Sequence, residues 1–496
     1  MKHFEHAALI LLSVAFVYEF SYSTSPRYDF LGGDSAVFQV IGKYWAQGVL
    51  PYVELFDQKG PLIFLINALG YMIYPREGVM VPQIVCMYIS LLFMWRALGL
   101  YLSGKTRLAA MALSMIYYGA HYWEGNNPGE YTMPLLMAST YFFMRYLSDG
   151  KNFCPPLYGF VYGLSVGACV MIRATNAMSA CCCAFLTAIF LLKARAFKNL
   201  RQNFLSFCAG VAVMILPFVI YFAAHGALYD MLYGTILFNV QYATQGKVDY
   251  PIFQRLAACV IELMPAVLTI FFGAMSIVRN VNKKLAVSAI FLAVMISALL
   301  MNLRLYDHYY MIVVPILPLT FAVLKQPLNL RGLTVFVTAL YAMLCCLTYF
   351  FICASYFSPE YPKIYNEIYR QESQGIRRLE RLIPDAEKNS FACWGNFFST
   401  SHWILETDMR PRERFFMNNS ALSLLDPTQK SEWLQHVETD PPLWILYGTN
   451  NKPKKHYDLD NHRSDPDVER LLADKYDLRG ETAIYDQVMK LYRLRD

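Results

Sequence analysis

Long apolar runs recur along this chain, among them LAVSAIFLAVMISALLM from Leu285 to Met301 and LTVFVTALYAMLCCLTYFFI from Leu333 to Ile352. Runs of about twenty apolar residues predict helices that cross a bilayer. Lipid offers no partner to an unpaired peptide group, so these runs read as helices. The first run, ALILLSVAFVYEF, has no small-residue cleavage site behind it and many further spans after it, so it reads as a retained helix rather than a leader. One run breaks the pattern. PLIFLINALGYMIYP, residues 61–75, is short for a full span. It predicts a short helix that dips in from the outer side or crosses incompletely.

The polar stretches between the runs are of two kinds. Five are basic: SGKTR at 103–107, SDGKN at 148–152, KARAFKNLR at 193–201, RNVNKK at 279–284 and KQPLNLR at 325–331. Others are rich in aromatic, acidic and polar residues: HYWEGNNPGEY at 121–131, the long 225–251 segment, and NLRLYDHYY at 302–310. Lys and Arg in short loops stay on the cytoplasmic side. The two kinds alternate if 157–192 forms a hairpin turning near Arg173, Ala174, Thr175 and Asn176. The chain then crosses about eleven times in a fold of 11–12 helices. Its N-terminus is cytoplasmic, and everything after residue 354 is external.

Charge divides the chain at the same place. Residues 355–496 hold 20 Lys and Arg against 23 Asp and Glu, while the preceding 354 hold 23 against 14. Such a step predicts a soluble domain at 355–496 after a membrane domain at 1–354. PLWILYG (442–448) reads as a strand and DVERLLADKYDL as a helix, which together predict a small α/β or α+β fold. Overall the chain is 56% hydrophobic and only 16% charged, against about a quarter charged in a soluble protein. Of the twelve cysteines, only Cys154 and Cys393 fall in polar segments. That is neither a disulfide framework nor a metal-binding pattern.

Ionisable groups held at membrane depth are costly, and they mark functional sites. On this topology three outer segments carry them: the loop at 25–60 with Asp34, Asp57 and Lys59; the loop with Glu124, Asn127 and Glu130; and Arg304, Asp307, His308 and Tyr309. Arg173 either faces a lipid phosphate or snorkels at a helix end. His308 fits an interfacial aromatic belt as well as a binding site. Lys247 and Asp249 lie in a long outer loop, and Tyr122 and Trp123 have rings on which a sugar can stack. The alternative for each loop alone is ordinary solvation and helix capping.

The order Asp34, Gly48, Pro51, then Phe56-Asp57-Gln58-Lys59-Gly60-Pro61-Leu62 opening a helix, resembles the first external loop of the GT-C glycosyltransferases, in particular the aminoarabinose transferases and protein O-mannosyltransferases. The resemblance is strongest over 28–75 and looser to about 145. It implies a GT-C-like polytopic helical membrane fold with a soluble C-terminal domain. Asp34 would match the general base, Lys59 the lysine near the donor phosphate, and Glu130 a second acid. Two positions depart from the family: its Asp-Glu pair is Asp34-Ser35 here, and its Pro-Pro is Gly60-Pro61.

The chemistry asks for the same residue types. Transfer from a lipid-phosphate sugar needs a carboxylate to take the acceptor's proton. It also needs cations around the departing phosphate. No P-loop or other phosphate cradle for a nucleotide is present. The expectation is an inverting, polyprenyl-phosphate-dependent glycosyltransferase, multi-pass in the inner membrane with an external active site. Asp34, Asp57, Lys59 and Glu130 would be catalytic; Arg173, Arg304, His308, Tyr309, Glu124 and Asn127 would bind substrate. The acceptor is a lipid, a glycan or a protein, with no nucleic acid involved. The residues single out no cofactor, and use of a divalent metal is left open. The rivals are a lipid-linked sugar flippase or transporter, which usually shows internal repeats, and a polysaccharide polymerase or ligase.

Overall fold

The computed structural model describes residues 2–245, 251–303, 306–326, 332–395, 397–416, 426–450, 465–484 and 487–496. In chain order the helices are α1 (Lys2–Phe20), α2 (Asp34–Ala46), α3 (Pro61–Ile73), α4 (Met80–Leu98), α5 (Gly104–Ala120), α6 (Pro128–Asp149), α7 (Pro156–Val170), α8 (Met178–Lys193), α9 (Phe197–Ala224), α10 (Leu228–Leu232), α11 (Phe238–Gln245), α12 (Ile252–Ile261), α13 (Met264–Val278), α14 (Lys283–Met301), α15 (Leu317–Leu324), α16 (Leu333–Phe357), α17 (Glu360–Glu380), α18 (Phe397–Thr407), α19 (Pro427–Thr439) and α20 (Pro466–Lys475). Four strands follow α17: β1 (Phe391–Gly395), β2 (Trp444–Asn450), β3 (Tyr476–Ile484) and β4 (Gln487–Leu494).

Among the described residues seven helices are long and apolar enough to cross a membrane: His3–Phe20, Glu77–Leu98, Ala174–Lys193, Phe197–Ala224, Lys283–Met301, Asp307–Leu324 and Phe336–Phe357. Pro61–Ile73, Pro156–Val170 and Met264–Val278 are apolar but shorter. The hairpin expected at 157–192 is present as α7 and α8, joined through a short 3-10 turn at Ala174–Ala177.

Two compact units form. One comprises Met1–Ser21, Met80–Tyr221 and Pro251–Ser358; the other comprises Tyr22–Val79, Phe222–Tyr250 and Pro359–Asp496. In the first, α4 packs on α6 and α13 on α14. Part of its core is formed by Phe143, Tyr162, Cys183, Leu191, Leu292 and Val323.

In the second unit α2 lies against α3. Gly42 makes this possible: a Cβ there would sit 2.5 Å from the Asn67 Cβ, so only glycine lets the helices approach so closely. α3 begins at Pro61, whose fixed φ suits a first helical position and whose missing N–H costs nothing there. Its 13 residues reach about 20 Å at 1.5 Å per residue, short of a roughly 30 Å hydrocarbon core.

The C-terminal sheet has the order β1-β2-β4-β3. β1 and β2 run parallel, with Phe391 opposite Trp444, and the other pairs are antiparallel. Trp394, Trp433, Ile445, Tyr447 and Leu472 fill its core. The helix expected over DVERLLADKYDL stops at Lys475, because Tyr476 turns extended and pairs with Leu494 of β4.

Candidate active site

In the second unit the chain from Ser23 to Gly33 leads into α2, whose first residue is Asp34. A carboxylate in a first helical turn is favoured by the unpaired N–H groups there. Arg76 organises the approach. Its guanidinium donates to the carbonyls of Ser23 (3.2 Å), Ser25 (3.4 Å), Phe30 (3.3 Å) and Tyr28, and to Glu77 Oε1 (3.4 Å). From α17, Asn366 accepts from the Asp29 N–H at 2.8 Å and donates to the Arg27 carbonyl at 3.3 Å.

The second segment of the site is the turn Phe56–Gly60, directly before α3. Three contacts hold its backbone: Phe56 N–H donates to Arg414 O (2.9 Å), Tyr52 Oη to Lys59 O (2.7 Å), and Asn239 Nδ2 to Gln58 O (2.6 Å). Phe56 itself packs among Phe238 and Phe415. The turn is thus fixed from α11 and from the C-terminal segment, and its side chains are aimed rather than loose. With the Gln58 amide turned to satisfy both neighbours, its nitrogen donates to Asp57 Oδ1 at 2.6 Å and its oxygen accepts from Lys59 Nζ at 3.1 Å. Gln58 therefore bridges an acid and an ammonium. Lys59 Nζ also lies 5.9 Å from the centre of the Phe38 ring, on α2.

Asp57 is 4% exposed. Burial pushes its carboxyl above the ordinary carboxylate range, and the Asp34 charge pushes in the same direction. The Lys59 ammonium and the N–H groups of Gln58 and Lys59 oppose the shift. Asp34, Asp57 and Lys59 thus sit within electrostatic reach of one another, at the mouths of two packed helices. A carboxylate, a buried acid and a cation so placed can accept a proton and balance charge on a departing phosphate.

In the first unit a second group of the expected residues comes together around the start of α6. Glu130 is fully buried. Tyr122 Oη and Gln83 Nε2 (3.1 Å) donate to its carboxylate, with the N–H groups of Asn126 and Asn127 adding to them. Asn127 Nδ2 donates to Tyr122 O at 2.8 Å, which closes the loop on itself. Arg173 Nε donates to Asn176 Oδ1 (2.9 Å), and Asn176 Nδ2 donates to Thr132 Oγ1 (3.0 Å) and Pro128 O (3.2 Å) of α6. The Arg173 guanidinium lies over the Tyr309 ring, 4.3 Å from its centre. His308 stacks beside Tyr306 at 5.9 Å, meets Tyr309 edge-on at 4.8 Å, and lies 6.2 Å from Trp123. Glu124 is buried in the same loop. Arg304, Lys247 and Asp249 lie outside the described residues. Among the described residues no three His, Cys, Asp or Glu side chains group to hold a metal ion.

Several polar residues with a part in these arrangements carried no sequence signal. Arg76 sits in a short loop, PREG, that reads as ordinary punctuation. Gln83 lies inside an apolar helix, Asn239 in α11, and Asn366 in a helix more than 300 residues from the loop it holds. Their partners are far away in sequence, and no spacing announces them.

The whole chain resembles solved structures of the GT-C fold. The crystal structure of ArnT from Cupriavidus metallidurans bound to undecaprenyl phosphate matches 98% of this chain and 97% of its own, with TM-score 0.58 and 10% identity. The Archaeoglobus fulgidus oligosaccharyltransferase in the apo form matches 89% of this chain and 69% of its own, with TM-score 0.50 and 10% identity. The fold is therefore that of a polytopic helical GT-C protein with a small mixed sheet in its C-terminal region. No curated protein sequence matches the chain significantly. A family profile described as "Putative competence-induced protein Ccs4 N-terminal domain" matches residues 1–332.

Proposed function

The chain belongs to the Ccs4 N-terminal-domain family, and we propose that it is an integral-membrane glycosyltransferase that moves a sugar from a polyprenyl-phosphate donor to an acceptor at the external face of the membrane. The observation that carries this reading is the grouping of Asp34, Asp57 and Lys59 at the starts of α2 and α3. The GT-C fold supports it, as does the undecaprenyl phosphate bound to ArnT.

The step runs as follows. The Asp34 carboxylate takes the proton of an acceptor hydroxyl while that oxygen attacks the anomeric carbon from the face opposite the phosphate. The new glycosidic C–O bond forms as the bond to the phosphate oxygen breaks, and the configuration inverts. The electron pair leaves with the polyprenyl phosphate, whose charge Lys59 balances. Asp57 keeps Lys59 in place through Gln58 and supplies the counter-charge when no donor is bound. Glu130 organises the 122–127 loop. Arg173, His308 and Tyr309, with Glu124, Asn127 and Arg304 of the outer loops, contribute to donor and acceptor binding. Holding the two reactants in line accounts for much of the rate.

The test supplies purified protein with a polyprenyl-monophosphate sugar and follows release of free lipid phosphate. Wild type should release it with transfer of the sugar, and Asp34→Asn should abolish both while inserting normally in membranes. Normal transfer by Asp34→Asn would remove Asp34 as the base. Movement of intact lipid-linked sugar across vesicles without release would identify a flippase, and a requirement for a diphosphate carrier would identify a polymerase or ligase.

A further inference from the structure

The start of α2, where Asp34 stands, has no side-chain cap hydrogen bond. Gly32 stands at φ 80°, a left-handed conformation that glycine adopts without strain. Gly33, the N-cap of α2, has no side chain to close the helix start. Its carbonyl accepts from the Ala36 and Val37 N–H groups (3.1 and 3.4 Å), as any first turn would. One contact to the peptide before it comes from the C-terminal segment. His402, in α18, donates through Nε2 to the Gly32 carbonyl at 2.6 Å.

The other face of the same ring is also engaged. His402 Nδ1 lies 3.0 Å from Glu372 Oε2 of α17. The rings of Phe30 and Tyr369 meet the imidazole edge-on at 5.6 and 5.7 Å. The imidazole is 1% exposed. The ring thus sits between the Gly32 carbonyl on Nε2 and a carboxylate 3.0 Å from Nδ1, in a site without bulk water. The Glu372 carboxylate lies close enough to Nδ1 to act on the ring electrostatically. The far end of α2 is tied to the same segment, since Lys43 pairs with Asp408 and Tyr44 Oη donates to Asp408 O at 3.2 Å.

We infer that His402, with Glu372 beside it, is a positioning residue for Asp34: it locks the Gly32–Gly33 turn so that the carboxylate enters the reaction already aimed. The inference rests on Asp34 acting as the base. His402 touches no reacting atom, and its effect passes through the backbone. The residue belongs to the region that composition alone would set apart as a separate soluble domain.

The experiment measures two things on the full-length protein in detergent or nanodiscs. The first is amide hydrogen exchange over residues 30–38. The second is sugar transfer with kcat and KM for the polyprenyl-phosphate donor resolved. His402→Ala should raise exchange in this peptide about tenfold, lower kcat by about ten- to a hundredfold, leave KM for the donor near wild type, and lower the melting temperature by the few degrees that loss of a buried side chain brings. His402→Gln keeps one donor for the Gly32 carbonyl and should recover most of kcat. Glu372→Gln should fall between them. Unchanged exchange in His402→Ala overturns the clamp whatever the catalytic role of Asp34. Unchanged kcat, or a fall in kcat matched by a collapse of melting temperature without rescue by Gln, also overturns it. Full activity of Asp34→Asn with raised exchange in His402→Ala would keep the clamp and sink only the assignment of the base.

Discussion

Replacing Arg76 by Met should loosen the approach to α2 more than any other single change in that loop. The guanidinium gathers four carbonyls from Ser23 to Phe30 and is 16% exposed. A hydrogen bond from a charged donor contributes about 1.5–3 kcal/mol when well formed. Three of these four lie at 3.2–3.4 Å, at the long end of the usual range, so each is worth closer to about 1 kcal/mol. Water reaches some of the freed carbonyls, and Met still packs along the path of the Arg stem. The expected loss is about 2–4 kcal/mol, which for a unit of this size lowers Tm by roughly 5–10 °C. Arg76→Lys should recover less than half, because a point ammonium cannot span carbonyls that the planar fork reaches together. The assay is thermal unfolding of the detergent-solubilised protein, paired with limited proteolysis of residues 23–31. The loop should become cleavable in Arg76→Met and stay protected in wild type. A Tm within 1 °C of wild type, with the loop still protected, refutes the reasoning.

Two further outcomes follow from the site and from the C-terminal sheet region. Lys59→Met should lower kcat for sugar transfer by about a hundredfold, with Lys59→Arg partly active, and steady-state kinetics within threefold of wild type would rule out a role at the donor phosphate. Burial pushes the Glu413 carboxyl up to about 7, with Asp440 adding to the push and Arg412 opposing it. A carboxyl whose folded pKa lies above its unfolded value stabilises fully below the unfolded pKa, near 4.5. That contribution is lost as pH rises through about 7. Wild type should therefore lose about 2–3 kcal/mol of stability between pH 5 and pH 8 through this one group. Glu413→Gln should flatten that slope and melt higher at pH 8, as thermal scans at the two pH values will show.

The helical membrane class was legible because long apolar runs have few alternatives, and the shortness of α3 was legible because a span needs about twenty residues. The strand at β2 was legible too, since WILY is apolar and short. The order Asp34, Asp57, Lys59 pointed to one loop because all three lie within 26 residues of sequence. What escaped is long-range in every case. The step in charge at 355 reports that apolar helices have ended, as α16 does at Phe357. It reports nothing about which earlier segment the following residues fold against. His402 in SHWILE and Glu372 in RQESQ are ordinary polar letters on two helices. Only the fold brings them together at Gly32. Tyr122 and Gln83 were similarly silent, because an aromatic at a membrane rim and an amide inside an apolar helix each have a commoner explanation.

The clasp of Asn366 on Arg27 and Asp29, with those of His402 on Gly32 and Asp408 on Lys43, has a consequence for how such chains can be recombined. Residues 359–496 share one compact body with Tyr22–Val79 and Phe222–Tyr250, so they do not form a cassette to be traded at a single junction. A hybrid that takes this segment from a diverged homologue while keeping the rest would strip the first loop of three anchors at once. A chimera that keeps these contacts takes Asn366, His402 and Asp408 together with Lys43 from the same parent.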